Sequence, residues 1–489
     1  MPIMFSQELP IYTALVLLAL PQYYLYSKAT CRSKNPAVLP TNWPILHMFP
    51  SFVANLHKMN DYFTLVLVGS GHNFRAHGPP GTGMRLFVTC DPANIQHIFT
   101  TNYTNFPKGA EFAAIFDIMS GGIFTIEGEP ARQQRMKIKS VLSSPRLVAR
   151  MEAWCRDKVE NNLLLLFTQM ASTGTSFNMQ ELMSRLMFDL AATPLFGVDP
   201  DLLSLDMPPM EAAIAMDTVM EVAFFQVVMP ASCWKLMRRL NIGPERKLKA
   251  VHKVLRVFVM EMTERRVINA SSVDVMFHAM TISYMIAARD TVATALTWIF
   301  YNLAQNPNIV SIMRNELSLI ASHKVAAHPD AMVIFKPDET KSLVYLRAVL
   351  YETLRLYPPA PLERKMVAAN DIMPSGHEVH AGDTILISLH SMGRMEGIWG
   401  KDCLNYNPDR WLSEDGNKLR YVPSHKFMAF NSGPRMCLGK DIAVMQMKTV
   451  IASMLWNFDV EVMKGQCIEP KSSCILEMKK GPTITLVME

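Results

Sequence analysis

Apolar residues recur every three to four positions through Arg132 to Thr168, Met179 to Phe196, Pro244 to Arg266, Thr281 to Gln305, Asn308 to Ile320 and Lys341 to Tyr357. That spacing puts one apolar stripe on each predicted helix. Runs of strand character are fewer and shorter, among them Arg85 to Thr89 and Thr384 to Leu389. The pattern predicts a mainly α protein with small β-sheets, one near each end of the sequence. No repeat or low-complexity tract interrupts it. The run "GPPGTG" at Gly78 to Gly83 has the wrong spacing for a dinucleotide fingerprint, so no bound nicotinamide is expected.

The amino terminus follows another pattern. Leu9 to Tyr26 is almost wholly apolar, with no Lys or Arg before it and Lys28, Arg32 and Lys34 directly after. A cleaved signal carries its positive charge ahead of the apolar run, so this one reads as a retained anchor. The positive-inside rule then places the rest of the chain in the cytosol. A buried or interfacial amphipathic segment is the alternative. Pro36, Pro40, Pro44 and Pro50 follow the charges and make a stiff spacer. The expected division is an anchor in membrane lipid over residues 1–27, a basic and proline-rich hinge over 28–50, and a body over 51–489.

The chain has 489 residues, 49% of them hydrophobic, enough for one large or two ordinary domains. A formal charge of +5 is modest, and no basic stripe is interleaved with aromatics, so no nucleic-acid partner is expected. The eight cysteines are scattered, without a C-x-x-C pair. This points to a reducing compartment and free thiols, not to a zinc site.

One cysteine stands apart. Asn431 to Pro434 form a turn-rich loop, and after Gly439 an amphipathic helix begins, with Ile442, Met445, Thr449 and Ala452 along one face. Cys437 therefore sits at a helix amino terminus, where amides and the dipole favour a thiolate. Gly433 and Gly439 would let backbone approach a flat cofactor, and Arg435 suits a propionate. Together Phe430, Gly433, Arg435, Cys437 and Gly439 resemble the haem-binding loop of the cytochrome P-450 superfamily, F-x-x-G-x-R-x-C-x-G, at all five positions. The resemblance implies a cytochrome P-450 fold and haem b, iron protoporphyrin IX, with the Cys437 thiolate as axial metal ligand. Such a ligand pushes electron density onto iron and favours O–O cleavage.

Other segments extend the resemblance over nearly the whole chain. "YLRAVLYETLRLYPP" is similar to the superfamily's E-x-x-R helix, with Glu352 and Arg355 on one face, and "NPDRW" supplies Arg410 as third partner of a buried triad. Asp409 stands where the family usually has Glu. "MIAARDTVATALTW" resembles the oxygen-activation helix, with Asp290 and Thr291 in place and Ala288 where a Gly is usual. A Thr hydroxyl can bend such a helix by bonding the carbonyl four residues back, and Asp290 would couple the site to outside protons. "EGEPARQQRMK" resembles the W-x-x-x-R helix that grips propionates; Arg135 matches, but Ala131 replaces the Trp. Arg132, Lys137, Lys139, Arg146, Lys440 and Lys448 suggest a basic face for an acidic reductase.

Within the superfamily, "VTCDPANIQHIFTTNYTNFPKG" and "GRMEGIWGKDCLNYNPDRW" look like the plant group that oxidises fatty acids and alkanes. That likeness implies an apolar channel, with Phe112, Ile115, Phe116, Ile286, Pro361 and Ile475 as its candidate lining. Between "ERRVINASSVDV" and Ile282 the chain is shorter than the family's pair of helices and loop. The expected function is a haem-dependent monooxygenase of long-chain aliphatic substrates in the endoplasmic reticulum membrane, using O2 and electrons from a flavoprotein NADPH reductase. A haem-thiolate enzyme rearranging hydroperoxides and a degenerate, non-catalytic relative are the alternatives. A cytosolic body should leave the acceptor patterns at Asn102 and Asn269 without glycan.

Overall fold

Apolar stripes along the chain are buried against one another in two clusters, and the structure, a computed structural model, describes residues 40–265, 275–329 and 331–488. Helix α1 (Met59–Gly69) precedes strands β1 (Asn73–His77) and β2 (Arg85–Thr89) and helix α2 (Gly109–Ile115). The long helix expected over Arg132 to Thr168 is instead a series: α3 (Gly128–Leu142), α4 (Pro145–Lys158), a π turn at Val159–Leu163, and α5 (Leu164–Thr173). Pro145 causes the main break. It lacks the amide that would continue α3 and suits the first turn of α4.

After β3 (Phe177–Asn178), helix α6 (Met179–Phe196) has the bounds that its period predicts. The Asn178 side chain accepts the Glu181 amide at its start, and Gly197 takes a left-handed φ of 74° at its end. Helices α7 (Glu211–Val228) and α8 (Ala231–Leu240), like α1, gave no signal in the sequence pattern. In α7 the reason is burial on nearly every side, which leaves no polar face to set a period. Helix α9 (Gly243–Arg265) follows. Then α10 (Val275–Met285), a π turn at Ile286–Asp290 and α11 (Thr291–Ala304) form one long rod. Helices α12 (Pro307–Ala327) and α13 (Val344–Leu356) precede the later strands.

The sheets correct the expectation of one local sheet near each end. Strands β4 (Leu362–Met366) and β7 (Thr384–Ser388) join β1 and β2 in a four-stranded sheet of order β1-β2-β7-β4, with Leu86 paired to Thr384 in the parallel β2–β7 ladder. Strands β5 (Asp371–Ile372) and β6 (Glu378–Val379) form a hairpin. After α14 (Lys440–Asn457), β8 (Phe458–Val462) and β9 (Thr483–Met488) pair with β3 in a third sheet. Short strands cannot stand alone, so they pair where the helical layers bring them together, whatever their distance in sequence. The Gly78–Gly83 run lies between antiparallel β1 and β2, not between a strand and a helix.

The long rod passes from one apolar cluster into the other. Ile282, Met285 and Ile286 belong to the cluster shared with α7, α9 and the four-stranded sheet, whereas Val292, Ala295 and Leu296 belong to that of α5, α6, α13 and α14. Its π turn marks the crossing. The anchor over 1–27, the hinge up to residue 39 and Asn269 lie outside the described residues. Among the described residues no helix is long and apolar enough to cross a membrane. Asn102 donates its side-chain amide to Asp371 at 2.9 Å, so that acceptor nitrogen is engaged inside the fold.

Candidate active site

The loop before α14 folds around its own backbone. Gly433 to Arg435 make one 3-10 turn, and the Cys437 amide donates to the Phe430 carbonyl at 2.8 Å. Packing inside the fold gives Gly433 a reason of its own. Its φ is 58°, and a Cβ would lie 2.1 Å from the Phe99 carbonyl oxygen, so packing against Phe99 already excludes a side chain. Gly439 has open space around its Cβ position and precedes α14. The Phe430 ring is partly buried against the second cluster, with the Lys440 ammonium 5.2 Å from its centroid.

Cys437 keeps an accessible side chain although protein surrounds it, which places its sulfur in a recess. The Gly439 amide at the helix start favours a thiolate at Cys437, as the sequence predicts, and burial opposes it. Burial pushes the Cys437 thiol up; the Gly439 amide, Arg135 and Lys440 act in the opposite direction without prevailing. A metal ion on the sulfur would displace the proton.

Arg435 and Arg135 meet beside that recess. Arg435 is buried and donates to the Tyr103 hydroxyl at 3.0 Å, the Ile126 carbonyl at 2.8 Å and Glu127 at 2.7 Å, while Arg135 donates to the Met436 carbonyl. Two buried lysines join them, and the sequence pattern pointed to neither. Lys108 donates to the Phe124 carbonyl at 2.9 Å, and Lys365 lies 4.8 Å from the Phe99 ring centroid. Burial lowers the Lys108 ammonium to about 8, reinforced by Lys365 and Arg435 against Glu363 and Glu127. Three buried cations, Lys108, Lys365 and Arg435, thus lie among the carboxylates Glu127 and Glu363, and Arg135 stands beside Arg435. Positive charge in excess at a largely buried place calls for anions. The two propionates of a haem fit that demand, and the open sulfur fits its iron.

The long rod contributes the second group. The Thr291 hydroxyl donates to the Ala287 carbonyl at 2.6 Å, four residues back, beside the π turn at Ile286–Asp290. The turn widens with Ala288 in place, so the absence of the usual Gly does not prevent it. Asp290 is buried and does not face outward as the simplest relay would require; Arg289 covers it at 2.7 Å. Arg289 lies inside "MIAARDTVATALTW", where the single cation next to an acid is the local signal of a buried pair.

Glu352, Arg355 and Arg410 come together in a separate site. Arg355 holds both Glu352 oxygens at 2.8 Å, Arg410 donates to Oε1 at 3.0 Å, and the Asn407 amide and the Trp411 indole add bonds of 2.8 and 2.9 Å. Asp409 is exposed, so its departure from the family's Glu does not touch this centre. Among the basic residues proposed for docking, Arg132, Lys137, Lys139 and Arg146 are exposed. Lys448 is not part of such a face: it is buried and donates to the Leu343 carbonyl at 3.1 Å.

Phe112, Ile115, Phe116, Ile286 and Ile475 lie in one apolar cluster, with the Phe112 and Phe116 rings 4.6 Å apart, and Pro361 is buried at the start of β4. An accessible cysteine before a helix, a buried cationic cradle and a threonine-bent rod define a thiolate-ligated cofactor enzyme. The cytochrome P-450 family model matches residues 39–274 and 274–486, two stretches that meet within the region read as shortened. The chain is 33% identical to noroxomaritidine synthase 2 of Narcissus pseudonarcissus over 98% of its length and 96% of that protein. It is also 33% identical to alkane hydroxylase MAH1 of Arabidopsis thaliana over 91% of its length and 92% of that protein. The chain belongs to the cytochrome P-450 family, and it is a haem-thiolate monooxygenase. Members of the family take electrons from a redox partner and act on small molecules.

Proposed function

We propose that this monooxygenase hydroxylates long-chain aliphatic substrates, fatty acids or alkanes, with electrons from a flavoprotein NADPH reductase. The observation that carries the reading is that Phe112, Ile115, Phe116, Ile286 and Ile475 all belong to one apolar cluster, to which the π turn contributes Ile286. Such a lining favours a chain without polar groups along its length. Alkane hydroxylase MAH1 supports the choice by its name, whereas noroxomaritidine synthase 2 is as similar and is named for another product. Identity therefore does not choose between the two, and the apolar character of these residues is what supports the aliphatic reading.

Cys437 would ligate the iron, and Arg135, Arg435, Lys108 and Lys365 would hold the propionates. The haem supplies the activation of O2. Thr291, bonded to the Ala287 carbonyl, holds the widened turn and presents its hydroxyl oxygen there. Asp290 holds a proton and passes it towards that hydroxyl, while the aromatic lining excludes water from the chain's path. Arg132, Lys137, Lys139 and Arg146 offer the reductase a basic face. The apolar run before Lys28 would fasten the enzyme to the endoplasmic reticulum membrane with its body in the cytosol.

The test is reconstitution of the full chain with a plant NADPH reductase and a panel of straight-chain acids and alkanes. Hydroxylated aliphatic product is expected. A normal thiolate-type carbon-monoxide spectrum without such product would overturn the substrate assignment. Thr291→Ala should lower the ratio of product to NADPH oxidised by roughly 10²-fold or less, with hydrogen peroxide rising, because solvent water substitutes in part. An unchanged ratio would remove Thr291 from the scheme.

A further inference from the structure

Asp290 is the inner end of a line of charged groups. Arg289 Nη1 donates to Asp290 at 2.7 Å and to Asp217, on α7, at 2.9 Å, so the two carboxylates share one nitrogen. The other side of the guanidinium is fixed by the Ser184 hydroxyl of α6, at 2.6 and 3.1 Å. The carboxyl-terminal segment adds Glu477, held in place because Trp298 of α11 donates to the neighbouring Leu476 carbonyl at 2.7 Å. Lys471 then joins Glu477 at 3.4 Å to Glu221 at 2.6 Å. Exposure rises along the line: the Asp290 side chain is 1% exposed, Glu477 12%, Asp217 26% and Glu221 44%. The line therefore begins in solvent and ends one residue from Thr291.

Its charges do not balance. Arg289 and Lys471 face Asp290, Asp217, Glu477 and Glu221, and Asp290 Oδ2 is buried without a hydrogen-bond partner. A group of this kind keeps a proton to shed the excess charge. Burial, with Asp217 and Glu477 acting against Arg289, raises the Asp290 carboxyl to about 8, and burial with Asp217 raises Glu477.

We infer that Asp217 and Glu477 form the outer part of the proton route, refilling Asp290 from solvent on the α7 side each time it releases a proton towards Thr291. This rests on the reading of Asp290 and Thr291 given above. Monooxygenation consumes two protons for each O2, with one oxygen leaving as water; each proton given up at Asp290 is replaced by one taken from solvent at Asp217 or Glu477. Both are positioning residues that touch neither substrate nor cofactor. Arg289 keeps their carboxylates together without itself giving up a proton.

The experiment compares the ferric holoenzyme with its Asp290→Asn, Asp217→Asn and Glu477→Gln variants by infrared titration in H2O and D2O. A second arm measures product per NADPH, with its solvent isotope effect, on dodecanoate. The native protein should show a protonated-carboxyl band that disappears at mildly alkaline pH, and Asp290→Asn should abolish it. Asp217→Asn and Glu477→Gln each remove a neighbouring negative charge, so they should move the midpoint to lower pH. They should also reduce coupling several-fold and enlarge the isotope effect, with Asp217→Glu restoring both. If Asp290→Asn alters band and coupling while the two outer variants change neither, the route is wrong and the role of Asp290 stands. If Asp290→Asn changes nothing, the reading of Asp290 falls and the route with it.

Discussion

Two buried charge clusters, both built on helices beside the site, differ in one respect that separates scaffold from mechanism. Around Glu352, both carboxylate oxygens are filled by Arg355, Arg410, Trp411 and Asn407, and Arg410 finds a second acid in Asp402 at 2.8 Å. Around Asp290, one guanidinium and one ammonium face four carboxylates, and an oxygen is left without a partner. A closed cluster has a single favourable state, so it holds backbone in place. Arg355 shows this by donating also to the carbonyls of Cys403 and Asn405, at 2.6 and 3.1 Å, which pins the loop leading to "NPDRW". An unbalanced cluster has protonation states close in energy, which suits a site that must gain and lose a proton.

The comparison breaks most visibly at Glu352. Glu352→Ala would leave Arg355 and Arg410 facing each other in a dry interior at a cost of roughly 3–5 kcal/mol. That is a large part of a domain's stability, so haem-free or insoluble protein is the expected outcome, read from yield and haem content. Normal yield with full occupancy would show that the cluster does not hold the fold.

A smaller effect should follow from Trp411→Phe, which keeps most of the ring packing against Tyr351 and Phe427 but removes the 2.9 Å bond to Glu352. A lost bond to a buried charged acceptor costs about 1.5–3 kcal/mol. Thermal melting at fixed pH measures it, and an unchanged midpoint would mean that the remaining donors suffice.

The least change at neutral pH, but the clearest in its pH dependence, is expected from Asp290→Asn. The folded carboxyl, raised to about 8, holds a proton that the unfolded chain has released above its ordinary value near pH 4. Stability from this group is therefore complete below about pH 4 and declines as pH rises towards about 8. The variant lacks that slope, so its stability relative to the native protein should improve between pH 6 and pH 9 by on the order of 2 kcal/mol. Parallel curves for the two proteins would show that Asp290 is not protonated in the fold. Asp217, Glu477 and Arg289 act on Asp290 directly, and Lys471 acts on Glu477, so together they set the window.

Local order in the chain already contained the cysteine loop, the bend beside Thr291 and many of the helices. F-x-x-G-x-R-x-C-x-G singles out Cys437 because ligand, turn and helix start lie within ten residues, and Met179–Phe196 could be bounded because its cap, stripe and closing glycine are all local. Helix α7 could not be read that way, since burial on all sides erases the period. Nor could the partners of the cations: Lys108, Lys365 and Glu127 lie far apart in sequence and meet only where α2, β4 and the Cys437 loop pack together. Tertiary structure likewise decided that Arg289 covers Asp290 and that Glu477 joins Asp217, for pairing of charges across helices depends on which faces are pressed together, and no local spacing encodes that. Sequence determined which residues carry the chemistry, because each needs its own functional group; packing determined their charge states, because desolvation and neighbours exist only in the folded chain.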